Sequence, residues 1–510
     1  MNGVMNLQIG EINAVVVSSP AVAKELIRNH DLTFANKWQS LASKTLFYND
    51  FGVVFSPYGE YWRQLRKVYA TELLNAKNVR SFSSIRHDEI HSLLADLHSS
   101  SGQLVNFTHR IFLLMSSIIC KSAFGKVLTG REEFLEQTKE ISEFLGEFDF
   151  ADVFPSWKVL HGLCGNKKRI MKTRRKVDGI IENIIKEHRR REKVESGDCL
   201  IDVLITQMDS GGLKLPITHD TIKGVIVEIF AAGSDTSSTA TAWAMSEMMK
   251  NPRVLAKAQA EVREAFRGKE KLEEEDIEEL AYLKSVVKET LRFHPPLPML
   301  VPKECMEETM VCGYTIPLKS KVLINVWAMG RDPQYWEDPE SFIPERFEKN
   351  NSSVDFMGNH FEFLPFGGGR RICPGLGFGF ANALSPLAHL LFHFDWKLPP
   401  GVTADTLDMT EKNGIAVARK NDLFLIPTPI HASPSYGDKF PVQDKDKLRN
   451  NLKIIQDYLC SFESQGLIVA NTSAAAFPQA LDWLHNYLLQ RIEEGISSVP
   501  SGNSGQAASD

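Results

Sequence analysis

The sequence predicts a mainly α-helical fold with small β-sheets, an α+β chain. Three observations predict it. Apolar residues recur at the helical period across residues 58–298. Short runs rich in β-branched residues stand at 13–17, 311–326 and 415–427. A glycine-rich stretch, 364–379, leads into a further helical pattern that lasts to Phe394.

In chain order, the run 13–17 closes at Ser18-Ser19-Pro20, and Ser19-Pro20 reads as a capped helix start with proline in its first turn. Residues 1–10 lack the basic start and apolar run of a signal peptide. No stretch reaches the ~18 apolar residues of a spanning helix; the longest candidate, 111–120, has buried-helix length. The basic segment 167–193 reads as the solvated face of a helix. A net charge of −6 argues against nucleic acid as a partner. A long apolar helix follows over 222–249, then an acidic surface loop at 271–279 and a helix over 283–293. The strand pattern 311–326 turns at Gly313 and Pro317, and 415–427 reads as a hairpin. Near Ser433 the composition changes. Residues 450–494 carry two amphipathic helix patterns, and the last ten are low in complexity. The chain is therefore read as a domain over 1–433 and an appendage over 434–510.

With 43% hydrophobic residues in a 510-residue chain, a sizeable core is feasible. The seven cysteines are scattered and form no CxxC pair, which excludes a zinc ribbon, a thioredoxin-like site and a disulfide framework. Cys373 stands apart, in Phe366-Gly-Gly-Gly-Arg-Arg-Ile-Cys-Pro-Gly375. A thiolate can serve as the axial ligand of a heme iron. Pro374 suits the first position of a following helix, whose dipole would favour the sulfur anion. The glycines allow backbone to approach a flat macrocycle and to donate to sulfur. Phe366 can shield that sulfur, and Arg371 can neutralise a propionate. The alternative is a glycine-rich turn with an incidental buried thiol. A dinucleotide loop fails on spacing, because Gly375, Gly377 and Gly379 do not give G-x-G-x-x-G.

The segment resembles the F-x-x-G-x-R-x-C-x-G heme-binding loop of the cytochromes P-450, with Phe366, Gly369, Arg371, Cys373 and Gly375 at all five specified positions. The resemblance implies that fold, with heme b between an oxygen-binding helix and the helix after the cysteine loop. It places Cys373 as the iron ligand. Glu289 and Arg292, by themselves an ordinary i, i+3 pair, become with Arg346 of Pro344-Glu-Arg-Phe347 a buried structural triad. Ala232-Gly-Ser-Asp-Thr-Ser237 resembles the oxygen-helix motif: Gly233 would let the helix open, Thr236 would hold oxygen and water, and Asp235 would relay protons. Without the resemblance, the hydroxyls back-bonding to their own helix would explain the segment. Trp62-Arg-Gln-Leu-Arg66 resembles the family's W-x-x-x-R helix, implying propionate contacts from Trp62 and Arg66. Lys303 stands where related proteins carry arginine, and lysine lacks the planar fork.

Phe148-Asp-Phe-Ala-Asp-Val-Phe-Pro-Ser156 and Ala281-Tyr-Leu-Lys284 are similar to plant microsomal enzymes of the family-71 type. The resemblance implies a monomeric monooxygenase that inserts one atom of O2 into a hydrophobic plant metabolite such as a terpenoid. It implies electrons from NADPH through a flavoprotein reductase, and a place on the cytosolic face of the endoplasmic reticulum membrane. Related enzymes carry an anchor helix ahead of the point where this sequence starts, so the domain is read as N-terminally truncated. Arg63, Lys67 and Arg370 are candidates for a reductase-facing surface. Ile229, Ala232, Leu297, Met299, Val301 and Ile415, with the loop 37–55, are candidates for the substrate pocket. Two rivals remain open: an O2-independent heme-thiolate isomerase or dehydratase, which needs no Asp235-Thr236 relay, and a truncated heme protein without activity.

Overall fold

A computed structural model describes residues 3–49, 52–125, 131–147, 149–157, 166–190, 199–211, 214–269, 272–348 and 354–430. The chain divides into two units, Met1–Pro434 and Ser435–Asp510. The two amphipathic helices expected over 450–494 lie outside the described residues.

The first unit is built around one long helix, His219–Lys250, of whose 32 residues 24 are buried. A helix buried on all sides is central rather than amphipathic. Thr218 caps it, accepting from the Thr221 N–H at 3.1 Å. Its burial lapses at Ala231–Gly233 and at Asp235–Thr236, mid-helix and mid-molecule, so those residues face cavities rather than bulk water. Helices Phe107–Phe124, Ala281–Phe293 and Leu376–His393 pack around it.

A five-stranded sheet runs in the order Val4–Ile9, Ile12–Val17, Lys321–Ile324, Lys303–Glu304, Asn36–Lys37. Its second and third strands pair parallel, with Ala14 opposite Lys321; the remaining pairs are antiparallel. The last pair sets Lys37 opposite Lys303. The strand Val4–Ile9 was not expected. Thr309–Val311 and Tyr314–Ile316 form the hairpin expected around Gly313.

The hairpin expected over 415–427 does not form. Phe424–Pro429 pairs instead with Phe394–Lys397 and Val105–Asn106. The reason lies at Val417, whose ladder groups are used elsewhere. Its carbonyl accepts from Trp243 Nε1 at 3.1 Å, and its N–H donates to Pro296 at 2.9 Å.

Glu289, Arg292 and Arg346 tie helix Ala281–Phe293 to the 3-10 turn Pro344–Phe347. Glu289 Oε1 accepts from Arg292 Nη2 at 2.7 Å, Arg346 Nε at 3.1 Å and the Ile343 N–H at 2.8 Å. Oε2 accepts from Arg292 Nε at 2.7 Å. The remaining Arg292 donors reach the carbonyls of Gly330, Pro339 and Ser341. Both side chains of the central pair are fully buried, so removing one leaves an uncompensated buried charge. Arg292→Met is therefore expected to destabilise the fold by about 3–5 kcal/mol in denaturant unfolding. Arg267→Met, at the exposed Arg267–Glu264 pair, is expected to leave the midpoint unchanged.

Candidate functional site

The loop carrying Cys373 closes on itself. The Cys373 N–H donates to the Phe366 carbonyl at 3.0 Å, and the Gly367 N–H to Leu364 at 3.0 Å. Gly369 sits at φ +68°, and a Cβ there would lie 2.5 Å from Asp31 Oδ1. Only glycine lets the loop take this path against the Asp31 carboxylate. Helix Leu376–His393 starts two residues later than expected, with Gly375 at the N-cap and Pro374 just outside. The glycine still serves the sulfur: the Gly375 N–H and the Arg66 charge favour the thiolate, while burial pushes the Cys373 thiol up.

Cys373 opens onto a cavity of about 260 Å³. Its walls are largely apolar, with Ile119, Ile229, Ala232, Leu297 and Val301 among them. Thr236 and Gly233 of the long helix also line it, as do Trp62, Arg66, Phe366, Arg371 and Gly375. Phe366 packs edge-on against Phe356, with ring centroids 5.3 Å apart.

One rim of the cavity is crowded with cations. Arg371 donates from Nε to Ala35 at 2.6 Å, from Nη1 to Val53 at 3.1 Å and from Nη2 to Ser56, all carbonyls. Arg66 Nη2 reaches the Ile372 carbonyl at 2.7 Å, and Lys37 Nζ the Val301 carbonyl at 2.7 Å. Trp62 Nε1 donates to the same Val53 carbonyl as Arg371, at 3.0 Å. Among the described residues, none of Lys37, Arg66, Lys303 and Arg371 forms a salt bridge with a carboxylate. Burial pulls Arg371 down to about 10 and Lys303 down to about 8. Burial, then Lys303 and Arg371, pull Lys37 well down. A dianionic ligand edge would relieve this crowding, as heme propionates would. Together with a buried sulfur at the cavity wall and glycines beneath it, the donor set fits heme.

Lys303 itself does not line the cavity. Its Nζ turns to the Phe34 carbonyl at 3.1 Å, and Lys37, its cross-strand neighbour, takes the rim position. No local motif marks Lys37, because only sheet register puts it there. Glu228 was also missed. It lines the cavity, accepting from the Val53 N–H at 2.7 Å, the Val54 N–H and the Tyr69 hydroxyl at 2.8 Å. Burial pushes its carboxyl up against these bonds. A lone acid in the apolar run of the long helix was the available signal.

Two expected features of the long helix differ. The helix is not opened at Gly233; it runs unbroken, and Thr236 Oγ1 donates to its own Ala232 carbonyl at 2.7 Å. Gly233 lets Ile119 approach closely: a Cβ there would lie 2.5 Å from Ile119 Cδ1, so that side chain would have to shift. Asp235 does not share the cavity of Thr236. Adjacent helical positions diverge by about 100°, and Asp235 faces a second cavity of about 140 Å³ with Ser142, Lys139 and Lys412. There burial raises its carboxyl to about 6, against the Ser142 hydrogen bond and the two lysines.

Ile229, Ala232, Leu297 and Val301 stand in the main cavity as expected. Met299 does not. It is 38% exposed, because Leu300, at φ +50°, turns the chain and occupies the wall itself. Ile415 also lies outside the lining, its N–H held by the Ser142 carbonyl at 3.3 Å.

Two outcomes are expected. Gly233→Ala should destabilise the chain by about 1–3 kcal/mol through overpacking, and adding Ile119→Val should recover part of the lost thermal midpoint. Asp235 has a folded-state pKa raised above its unfolded value, so its stabilising contribution is full below about pH 4 and is lost as pH rises through about 6. Asp235→Asn should therefore unfold at higher temperature than wild type at pH 7.5, with the difference fading toward pH 4.

Comparison with known proteins agrees with the geometry. The family model for cytochrome P450 matches residues 2–426. Premnaspirodiene oxygenase of Hyoscyamus muticus is 56% identical over 435 residues, covering 84% of this chain and 86% of that protein. The 5-epiaristolochene 1,3-dihydroxylase of Nicotiana tabacum is 56% identical over 437 residues, with 84% and 86% covered. A solved zebrafish cytochrome P450 with abiraterone superposes with a TM-score of 0.71 at 22% identity, covering 84% of this chain and 96% of its own. With the family model spanning nearly all described residues and relatives sharing over half their positions, the chain belongs to the cytochrome P450 family, the heme-dependent monooxygenases.

Proposed function

We propose that the chain oxidises a terpenoid hydrocarbon, inserting one atom of O2, with electrons delivered from NADPH by a flavoprotein reductase. The observation that carries this is the single cavity in which the Cys373 sulfur, the Thr236 hydroxyl and an aliphatic wall meet. Relatives named for premnaspirodiene, 5-epiaristolochene and germacrene A supply the substrate class.

Bound heme supplies the oxygen activation. Cys373 would hold it through the sulfur, and Arg66, Arg371, Trp62 and Lys37 would pair with its carboxylates. The aliphatic side chains of Ile119, Ile229, Ala232, Leu297 and Val301 desolvate and orient an apolar substrate without hydrogen-bonding it. Thr236 keeps its lone pairs free toward the cavity while its proton is committed to Ala232. Asp235, its carboxyl raised to about 6 by burial, can take up and release a proton near neutral pH in the second cavity, on the far side of the same helix turn. The O2-independent alternative leaves both residues without a task.

Arg63 and Arg370 both stack on Tyr58, at 5.3 and 5.9 Å, which gathers two exposed cations beside the cysteine loop. With Lys67 they form the reductase-facing surface. Among the described residues no helix is long and apolar enough to cross a membrane. The cytosolic face of the endoplasmic reticulum is the proposed location. Met5, Leu7 and Trp157, all exposed, are the apolar residues offered to the bilayer. The Glu11 N–H bond to Val153 at 2.9 Å brings their segments together.

Reduced with dithionite under carbon monoxide, the chain should show the strongly red-shifted Soret band of thiolate ligation. Cys373→Ala should lose that band and Cys305→Ala should keep it; a folded wild-type chain without the band would refute the assignment. In turnover with reductase, Thr236→Ala should lower product per NADPH by about a hundredfold, the lower end of what removing a proton-transfer group costs, and release more peroxide. Product formation in the absence of NADPH and reductase would favour the isomerase reading.

A further inference from the structure

Away from the heme cavity, the end of helix Asn166–Arg190 and the start of helix Leu200–Ser210 bring together three side chains that no part of the oxidation uses. His188 Nδ1 lies 2.8 Å from Asp202 Oδ1 and 3.9 Å from Cys199 Sγ. Cys199 Sγ lies 3.0 Å from Asp202 Oδ2. The imidazole is fully buried, and the thiol and carboxylate are half-buried.

This is not a nucleophile triad. Thiol and carboxylate both meet the same ring nitrogen, so no chain of acid, base and nucleophile exists. Burial and the Asp202 bond also hold the thiol at about 12, the opposite of activation. Helix capping explains part of the arrangement, since Asp202 accepts the Cys199 N–H at 3.2 Å. It does not explain why a buried imidazole turns to the same point. Nor does it explain why His188 Nε2 is left buried with no hydrogen-bond partner among the described residues. A histidine held only for packing would do better with a hydrogen-bond partner at that nitrogen.

We propose that His188, Cys199 and Asp202 bind a zinc(II) ion, with water in the fourth position. One sulfur, one imidazole nitrogen and one carboxylate oxygen are a donor set suited to zinc, and the thiolate disfavours magnesium and calcium. Bonds of about 2.0–2.3 Å in a tetrahedral centre separate ligand atoms by roughly 3.3–3.6 Å. One ligand atom from each of the three residues lies within 4.8 Å of the other two. The 2.8 Å and 3.0 Å contacts go to the two different Asp202 oxygens, so a turn of that carboxylate and a side-chain adjustment bring a single oxygen, the sulfur and the imidazole nitrogen onto those separations. On binding, the S–H bond breaks, a Zn–S bond forms and the proton leaves to solvent. The ring proton moves from Nδ1 to Nε2, a nitrogen already without a partner, so metal entry creates no new orphan. Thiolate and carboxylate balance the two positive charges. The ion would clip the two helices together across residues 191–198.

The test uses the full-length, heme-loaded chain, stripped with chelator, incubated with zinc chloride and desalted. One zinc per chain, with a sulfur neighbour at about 2.3 Å in zinc-edge X-ray absorption, is expected. Cys199→Ser should lose it and Cys312→Ser, at an exposed cysteine, should retain it. In the unmutated chain, zinc should slow iodoacetamide labelling of Cys199 at least tenfold and leave Cys312 unaffected, which needs no variant to fold. No retained zinc, equal zinc in Cys199→Ser, or unchanged Cys199 labelling would each overturn the proposal. None of these readouts depends on the oxidation reaction.

Discussion

One residue, Val53, joins the three parts of the site through its backbone. Its carbonyl accepts from Trp62 and from Arg371, and its N–H donates to Glu228. The W-x-x-x-R helix, the cysteine loop and the long central helix therefore meet on one residue of a connecting loop. Buried backbone groups must be paired, and here each pairing is made by a side chain from a different element. Moving any one of the three elements would leave a donor or acceptor unpaired in an apolar setting. The cost is about 1–3 kcal/mol for each neutral group and more for the charged ones.

The same economy explains where charge is allowed inside. At Glu289, two arginines and a backbone N–H saturate a buried carboxylate, and the remaining guanidinium donors end on carbonyls. That cluster is internally complete. The rim around Lys37, Arg66 and Arg371 is not, because its cations end only on carbonyls and repel one another. A complete cluster serves to fix the fold, while an incomplete one serves a ligand that brings the missing charge. Such clusters favour a specific arrangement more than they favour stability.

The central helix separates two chemistries by rotation alone. Thr236 faces the apolar cavity with the sulfur, and Asp235 faces a polar cavity with two lysines. Water and protons can approach Asp235 without entering the space where substrate lies. Gly233 is the contact that lets Ile119 come close enough to seal the apolar side.

The helical class and the Cys373 loop were legible in the residues alone, and the family resemblance added the Glu289–Arg292–Arg346 set and the role of Thr236. These are readable because each depends on residues close in the chain or on a spacing that survives as a motif. Helical periodicity likewise located the central helix, since a helix satisfies its own backbone. Tertiary structure alone decided the rest, for reasons of register, rotation and approach. Sheet register placed Lys37 rather than Lys303 at the rim. A positive φ at Leu300 exchanged it for Met299 in the wall. Trp243 and Pro296 claimed the Val417 backbone and prevented a local hairpin. The partners of Glu228, and the convergence of His188 with Cys199 and Asp202, depend on which surfaces meet. Long-range pairing of that kind leaves no periodic trace in a single chain.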